Sequence, residues 1–423
     1  MWLRLAALAV FAAVPCALAQ ERPPVSLRLD DALRRVSDTH PQLRLIDGER
    51  TVLEARRDAA VLKPPMAFGV ELENALGSGQ ARAFDAAELT VSLSGVLERG
   101  GKLDARRALA QARLDTLAPQ REAARLDALA QVAQRYQAIA LAQRQLAIAQ
   151  LDIDQRQRAV QAARARLQAG ASPESVLLTA QAQLAQAELD RDRARVAGQA
   201  ARRHLATLWG QREADFDTVS GDLDALPELE SFDALARLLE RTPELALVAG
   251  DARVREAQLR LAQSERRSDL QWQLGVRRLQ DAGDTALVAG VSLPLGGARR
   301  AEPEIRAAQA ELANNALQRD ALLLQLHSTL AEAHGRYLTA RLEVQRLARE
   351  VLPRLQQAER AAERAWRAGA ISYLEWAQLQ AQRVEALQRQ LDAAAQAQTA
   401  LIELQRLTGQ PIVASPSAQD ATQ

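Results

Sequence analysis

The sequence predicts a mainly α-helical protein with a small β part, built from a duplicated unit of two strands followed by a long antiparallel coiled-coil hairpin. Three observations predict it. Ala, Leu, Arg, Gln and Glu dominate, while Phe, Trp and Tyr make up only 3% of the chain, a composition of long helices rather than of a globular core. Apolar residues recur in alternating steps of three and four over much of the length. The chain also matches itself at a spacing of about 200 residues, the kind of internal repeat that sets an architecture.

The self-match is ordered. Pro41, Leu43, Glu54 and Ala55 recur as Pro243, Leu245, Glu256 and Ala257, and Arg135-Tyr136 recurs as Arg336-Tyr337. Ala169-Gly170-Ala171 returns as Ala368-Gly369-Ala370, and Leu208-x-Gly210 as Leu407-x-Gly409. The expected organisation is a signal peptide at 1–19, a first repeat at 20–210, a connector at 211–231, a second repeat at 232–410 and a disordered C-terminal tail at 411–423. The connector is acidic and punctuated by Gly and Pro, and the tail is small and polar.

Met1 to Arg4 is a short positive lead, Leu5 to Val14 an apolar run, and Ala17-Leu18-Ala19 a small-x-small cleavage site. Together they read as a secretory signal, too short for a membrane-spanning helix. The single cysteine, Cys16, falls inside it behind Pro15, not behind the small residue that lipid attachment prefers. With cleavage after Ala19 the remaining chain has no thiol and no disulfide. The net charge of +1 comes from interleaved signs, which gives no footprint for nucleic acid.

In the second repeat Leu323, Leu326, Leu330, Ala333, Tyr337, Ala340, Val344 and Leu347 keep the three-four steps. Leu129, Val132, Tyr136, Ile139 and Leu146 keep them in the first, with Gln143 as one polar seam residue. From Lys102 to Gln168 only Pro119 disturbs the helix, which at 1.5 Å per residue reaches ~100 Å. Pro353 is the comparable defect later, read as a kink rather than a stop. Gly170 and Gly369 end these helices, and second helices return from Pro173 and Ser372. Helices of this length need lateral partners.

Ahead of each long helix the period becomes two. Phe68, Val70 and Leu72 form one strand and Leu89, Val91 and Leu93 the next; Leu270, Trp272, Leu274 and Val276, then Leu287, Ala289, Val291 and Leu293, form the second pair. Alternation alone fits a small sheet packed on the helices. It equally fits a membrane β-barrel with an apolar outside and a polar lumen. Four strands cannot close in lipid without unsatisfied edges, so the second reading requires oligomerisation: three copies give a trimeric 12-stranded β-barrel on an α-helical barrel. The Gly-Gly pairs at Gly100-Gly101 and Gly296-Gly297 are expected at the strand-to-helix bends; they lack the spacing of a nucleotide-binding loop.

No catalytic, cofactor or metal constellation stands out, so no enzyme activity is expected. The four histidines, His40, His204, His327 and His334, are scattered. His327 and His334 lie seven apart on one helix, with no cysteine nearby and Glu332 pointing off their face, a poor metal site.

At this point the chain resembles the TolC-like outer membrane factors, in particular the heavy-metal branch of the CzcC/CusC type. The carriers are "HPQL" at His40–Leu43 with "TPEL" at Thr242–Leu245, "VELENALGSG", "VLERGGKLDARRALA", and the turns "RLQAGASPES" and "AWRAGAISYLEWAQLQAQR". The resemblance covers nearly the whole chain. It implies a homotrimeric channel in outer membrane lipid of a Gram-negative bacterium, with a long periplasmic extension. That extension would meet a periplasmic adaptor (membrane fusion) protein and, through the complex, an inner-membrane RND-type pump, with heavy-metal cations as cargo. The resemblance places Leu167, Gly170, Ala171, Trp366, Gly369 and Ala370 at adaptor-contacting tips. Gly95 departs from the family's usual proline, kept at Pro294; the first turn reads as one residue short; and Phe68, Phe84 and Trp272 make a thin aromatic belt. A channel for drugs or for type I protein secretion is the nearest alternative. A periplasmic adaptor or coiled-coil scaffold without a pore is the alternative of another class, against which the duplication and paired strands argue.

Overall fold

Prolines 41 and 243 sit at the first position of equivalent helices, where a missing N–H costs nothing. The residues before them, His40 and Thr242, are extended, as a residue preceding proline must be. From these starts the computed structural model, which describes residues 25–79 and 82–412, runs twice through one order of elements. The first pass is β1 (Ser26–Leu27), α1 (Leu29–Thr39), α2 (Pro41–Ala60), β2 (Ala67–Glu73), β3 (Glu88–Leu97), α3 (Lys102–Asp115), α4 (Leu117–Gln168) and α5 (Glu174–Ala206). After β4 (Thr218–Val219) the second pass is α6 (Phe232–Leu238), α7 (Pro243–Ser264), β5 (Leu270–Leu279), β6 (Thr285–Ser292), α8 (Gly297–Arg346), α9 (Leu352–Arg367) and α10 (Tyr373–Thr408). The segment read as a signal peptide, and the tail beyond residue 412, lie outside the described residues.

The predominantly helical fold with a small sheet is the one read from the periodicity. Its long helices are less continuous than expected. Pro119 stands at the third position of α4, and the chain breaks just before it at Thr116, whose hydroxyl donates to the Arg113 carbonyl at 2.7 Å. A proline is tolerated in a first turn, so the helix restarts there instead of kinking. In the second pass the break takes another form. A π-turn over Leu347–Val351 precedes Pro353, which lies in the first turn of α9; the wider turn absorbs a residue whose N–H is missing.

The long helices lie side by side in one layer. In the half nearer the strands α2 lies on α3 and α4, those on α7, and α7 on α8; in the farther half the order is α5, α4, α10, then α8 and α9. Their seams are the predicted ones. Val132, Ile139, Leu330, Ala333, Tyr337 and Ala340 are buried, with Ala making close helix approach possible.

The connector packs into the fold. Its Thr218 and Val219 pair in parallel with Ser26 and Leu27, and its Phe216 is buried against Leu205, Leu208 and the α1 face. The repeated tyrosines hold it down. The Tyr136 hydroxyl donates to the carbonyl of Leu27 at 2.9 Å and lies against the Ser220 carbonyl, and the Tyr337 hydroxyl donates to that of Pro227. Burial raises both phenol pKa values, that of Tyr337 to about 12.

Candidate functional site

The alternating residues of the four strands fall into register across one sheet ordered β2-β3-β5-β6, antiparallel throughout. One face carries the rows Phe68–Leu93–Leu274–Ala289 and Val70–Val91–Val276–Leu287, with Leu97 opposite Leu270 at the helical end. No helix covers this face. Phe68 is 72% exposed and Leu287 86%, with Val70, Leu93, Leu274 and Val291 also open. The reading of a sheet packed on the helices by its apolar side is therefore excluded within the chain. Gly95 has its reason here. A Cβ on it would sit 3.0 Å from the Trp272 ring opposite, so the small residue makes room for the largest one in the sheet.

The other face is polar: Glu71, Thr90 and Arg277 share a row, and Ser92 and Ser94 lie in neighbouring rows. Arg277 reaches Glu88 at 2.8 Å, Glu73 at 3.0 Å and the Thr90 hydroxyl at 3.0 Å, cross-linking three strands. The outer edges of β2 and β6 have no partner strand among the described residues. Because the four strands alternate in direction, β6 of one copy would meet β2 of another antiparallel.

At the bend into α3 both Gly100 and Gly101 take left-handed backbone, φ +81° and +78°. At the bend into α8 only Gly296 does, φ +89°. Gly297 is already helical, and its requirement is space instead: a Cβ would meet the Ser268 hydroxyl at 2.7 Å. Beside the first bend the motif Leu97-Glu98-Arg99-Gly100-Gly101-Lys102 builds a charge cluster with the other half of the chain. Lys102, only 6% exposed, places Nζ 2.9 Å from both Glu265 and Asp269, and Asp269 also accepts the Arg99 N–H at 3.0 Å. Arg106 grips Glu98 with two nitrogens. Burial alone would lower the lysine pKa and raise that of Asp269. The hydrogen bonds to Glu265 and Asp269 overturn this, so Lys102 is raised and Asp269 lowered. Glu98 is lowered by its hydrogen bond from Arg106.

The far ends of the hairpins are two turns of equal construction. Ala171 N–H donates to Arg166 O at 2.8 Å and Gly170 N–H to Leu167 O at 3.0 Å. Ala370 and Gly369 repeat this to Ala365 and Trp366 at 2.9 and 3.0 Å. Each is a Schellman closure with glycine in the left-handed position, φ +68° at Gly170 and +75° at Gly369. α10 then starts with a capping box between Ser372 and Glu375.

Trp366 corrects the sequence reading. It was expected to offer a contact outward, but it is 5% exposed, stacked on Trp376 at 4.5 Å and edge-on to Tyr373. Arg166 from the other hairpin lies 5.6 Å from its ring and donates to its carbonyl. The indole is spent joining the two hairpins. Leu167 is half-buried, Gly170, Ala171, Gly369 and Ala370 are exposed, and the open apolar side chains close to the turns are Leu374 and Leu178.

His327 and His334 do share a face, where both lie edge-on to Phe232 at 5.2 and 5.7 Å. Their place is in packing. Among the described residues no group of three or more His, Cys, Asp or Glu side chains could hold a metal ion, and no helix is long and apolar enough to cross a membrane.

The family described as outer membrane efflux protein matches residues 69–211. A relative named cobalt-zinc-cadmium resistance protein CzcC, from Cupriavidus metallidurans, is 30% identical over 207 residues. Residues 69–211 therefore resemble an outer membrane efflux protein domain. That alignment takes in 48% of this chain and 49% of CzcC, so the chain spans about half the length of that relative. Solved structures carry the same fold over nearly all of it. One titled for CusC has a TM-score of 0.78 at 16% identity, covering 93% of this chain and 95% of that one. A membrane protein from Pseudomonas aeruginosa gives 0.75 at 19% over 90% and 93%. The outer membrane protein VceC from Vibrio cholerae gives 0.74 at 17% over 90% and 96%.

Within this fold, sequence reading found the glycines and missed their neighbours. Glu98, Lys102 and Arg106 all stand in the quoted motif, but Glu265 and Asp269, the partners of Lys102, come from the other repeat. Tyr373 and Trp376 follow Trp366 closely enough to have suggested an aromatic cluster at the turn.

Proposed function

We propose that the chain is the outer membrane channel subunit of a tripartite efflux system. Three copies close the barrel, and the helical layer of each contributes a third of a tunnel reaching into the periplasm. The tunnel conducts substrate passively from an inner-membrane RND-type pump and a periplasmic adaptor. Heavy-metal cations are the substrate class favoured by the similarity to CzcC. The signs expected of this reading, an outer membrane location in a Gram-negative cell and the absence of catalytic chemistry, are part of the proposal.

The observation that carries it is the sheet: an uncovered apolar face, a polar opposite face and two open antiparallel edges. Unpaired backbone in lipid is too costly to leave open, so such a sheet must be closed by copies of itself. The helices agree. Leu317, Leu324 and Leu338 keep heptad spacing in an exposed stripe along α8 at one margin of the layer, with Leu342 one turn beyond, and Leu45, Val52, Leu189 and Val196 are exposed on α2 and α5 at the other. Two such stripes are what neighbouring copies would join.

The test is electrical. The purified chain, added to a planar lipid bilayer, should give discrete, long-lived conductance steps, and cells lacking a cognate channel should regain metal resistance when supplied with it. A chain that reaches the outer membrane, assembles and never conducts would refute the proposal.

A further inference from the structure

The end of the sheet nearest the helices carries more positive charge than its carboxylates can answer. Glu98 is engaged with Arg106, Glu265 and Asp269 with Lys102, Asp104 with Arg107, and Glu302 with Arg266, which leaves the exposed Glu304 of α8 as the one carboxylate near that level without an ion pair among the described residues. Lys63, Arg99, Arg267, Arg299 and Arg300 are exposed, and among the described residues their side chains make no ion pair or hydrogen bond. In sequence they stand close to the strand ends that carry exposed Met66, Leu97, Leu293 and Leu295, with exposed Leu62 beside Lys63. Arg299 and Arg300 stand in the first turn of α8, which has no acidic residue. Cations are unfavourable at that positive end of a helix dipole, so helix stability does not explain them. The opposite end of the sheet has no such surplus: Asp85, Asp281 and Asp284 stand in its loops beside Arg82 and Arg278.

We infer that these five cations form a belt binding the phosphate groups of anionic phospholipids in the periplasmic leaflet, immediately below the lipid-facing band. The inference rests on the channel reading, which puts the apolar face in lipid and the helices on the periplasmic side. Charge complementarity and continuity with the apolar band select a lipid: a headgroup phosphate lies at the boundary where acyl chains meet Leu97 and Leu295. Juxtamembrane basic residues attract anionic lipid in this manner. The belt would hold the barrel at a fixed depth, with the Lys102 cluster buried just beneath the headgroups.

The experiment uses the delipidated full-length assembly in detergent, titrated with phosphatidylglycerol or with phosphatidylcholine of the same acyl chains, and native mass spectrometry to count retained lipid. The wild type should retain phosphatidylglycerol in preference, by on the order of fivefold. The variant R99Q/R267Q/R299Q/R300Q should lose that preference while still assembling. R354Q/R360Q, which removes two exposed arginines of α9 far from the strands, should keep it. Millimolar inorganic phosphate should leave the preference standing; if it abolishes it, the belt is a free-phosphate site and the lipid assignment is wrong. Equal retention of both lipids by the wild type, or an unchanged preference in the four-site variant, overturns the belt even if both proteins conduct in zwitterionic bilayers. Failure of the wild type to enter any bilayer overturns the channel reading, and the belt with it.

Discussion

Gly100 and Gly101 share a left-handed backbone, yet only one of them is hemmed in. A Cβ at Gly100 would lie 2.7 Å from the Ser264 carbonyl oxygen, whereas at Gly101 it would meet open space. Gly101→Ala should therefore cost only the backbone penalty, roughly 1–2 kcal/mol. Gly100→Ala should cost clearly more, because α7 must shift away; thermal melting of the assembled protein ranks the two. The charge cluster beside them makes a pH prediction. Asp269 and Glu98 have folded pKa values below their unfolded ones. Their contribution is then complete above the unfolded value, near 4 for such groups, and is lost as pH falls through the folded values. Glu98→Gln should thus lower the melting temperature at neutral pH, and the gap to the wild type should close in acid. A gap that stays constant down to pH ~3 would mean that the Glu98–Arg106 pair contributes nothing.

At the scale of elements, legibility followed sequence distance. The strands were readable because alternation is local, and β3 and β5 run longer than the alternating cores only by Gly95 to Leu97 and by Arg278 and Leu279. The helical seams were readable for the same reason. What escaped was non-local. Nothing around Thr218 announces a two-residue parallel pairing with Ser26, and nothing around Lys102 announces Asp269, 167 residues away. Thr116 escaped because a proline marks a defect without saying whether the chain kinks or restarts. The hairpin turns were located correctly by their glycines, but a tryptophan three residues before a turn can face either way, and Trp376 decided it inward. The adaptor contact proposed for the tips accordingly moves to the exposed Gly170, Ala171, Gly369 and Ala370 and to Leu374 and Leu178. A Cβ at Gly170 or Gly369 would meet nothing within 4 Å, so Gly170→Val and Gly369→Val strain chiefly the left-handed backbone, at about 1–2 kcal/mol each. Assembly should survive while efflux and crosslinking to the adaptor fall. Normal export and crosslinking in both variants would remove the tips from the contact.

For the whole molecule, the isolated chain leaves three kinds of surface unfinished: a sheet edge on each side, an apolar sheet face, and apolar stripes at both margins of the helical layer. A monomer in water would expose all of them. In the proposed channel, closure by copies would satisfy the edges and stripes and lipid the face, so assembly and membrane insertion would be one requirement. The central claim is the number of copies, and it is open to a single measurement. The chain, extracted from outer membranes in mild detergent, is weighed by light scattering with the detergent contribution subtracted. Three copies closing twelve strands predict a protein mass three times that of the processed chain, with no monomer at equilibrium. A stable monomer that remains dispersed in water without detergent would contradict the account.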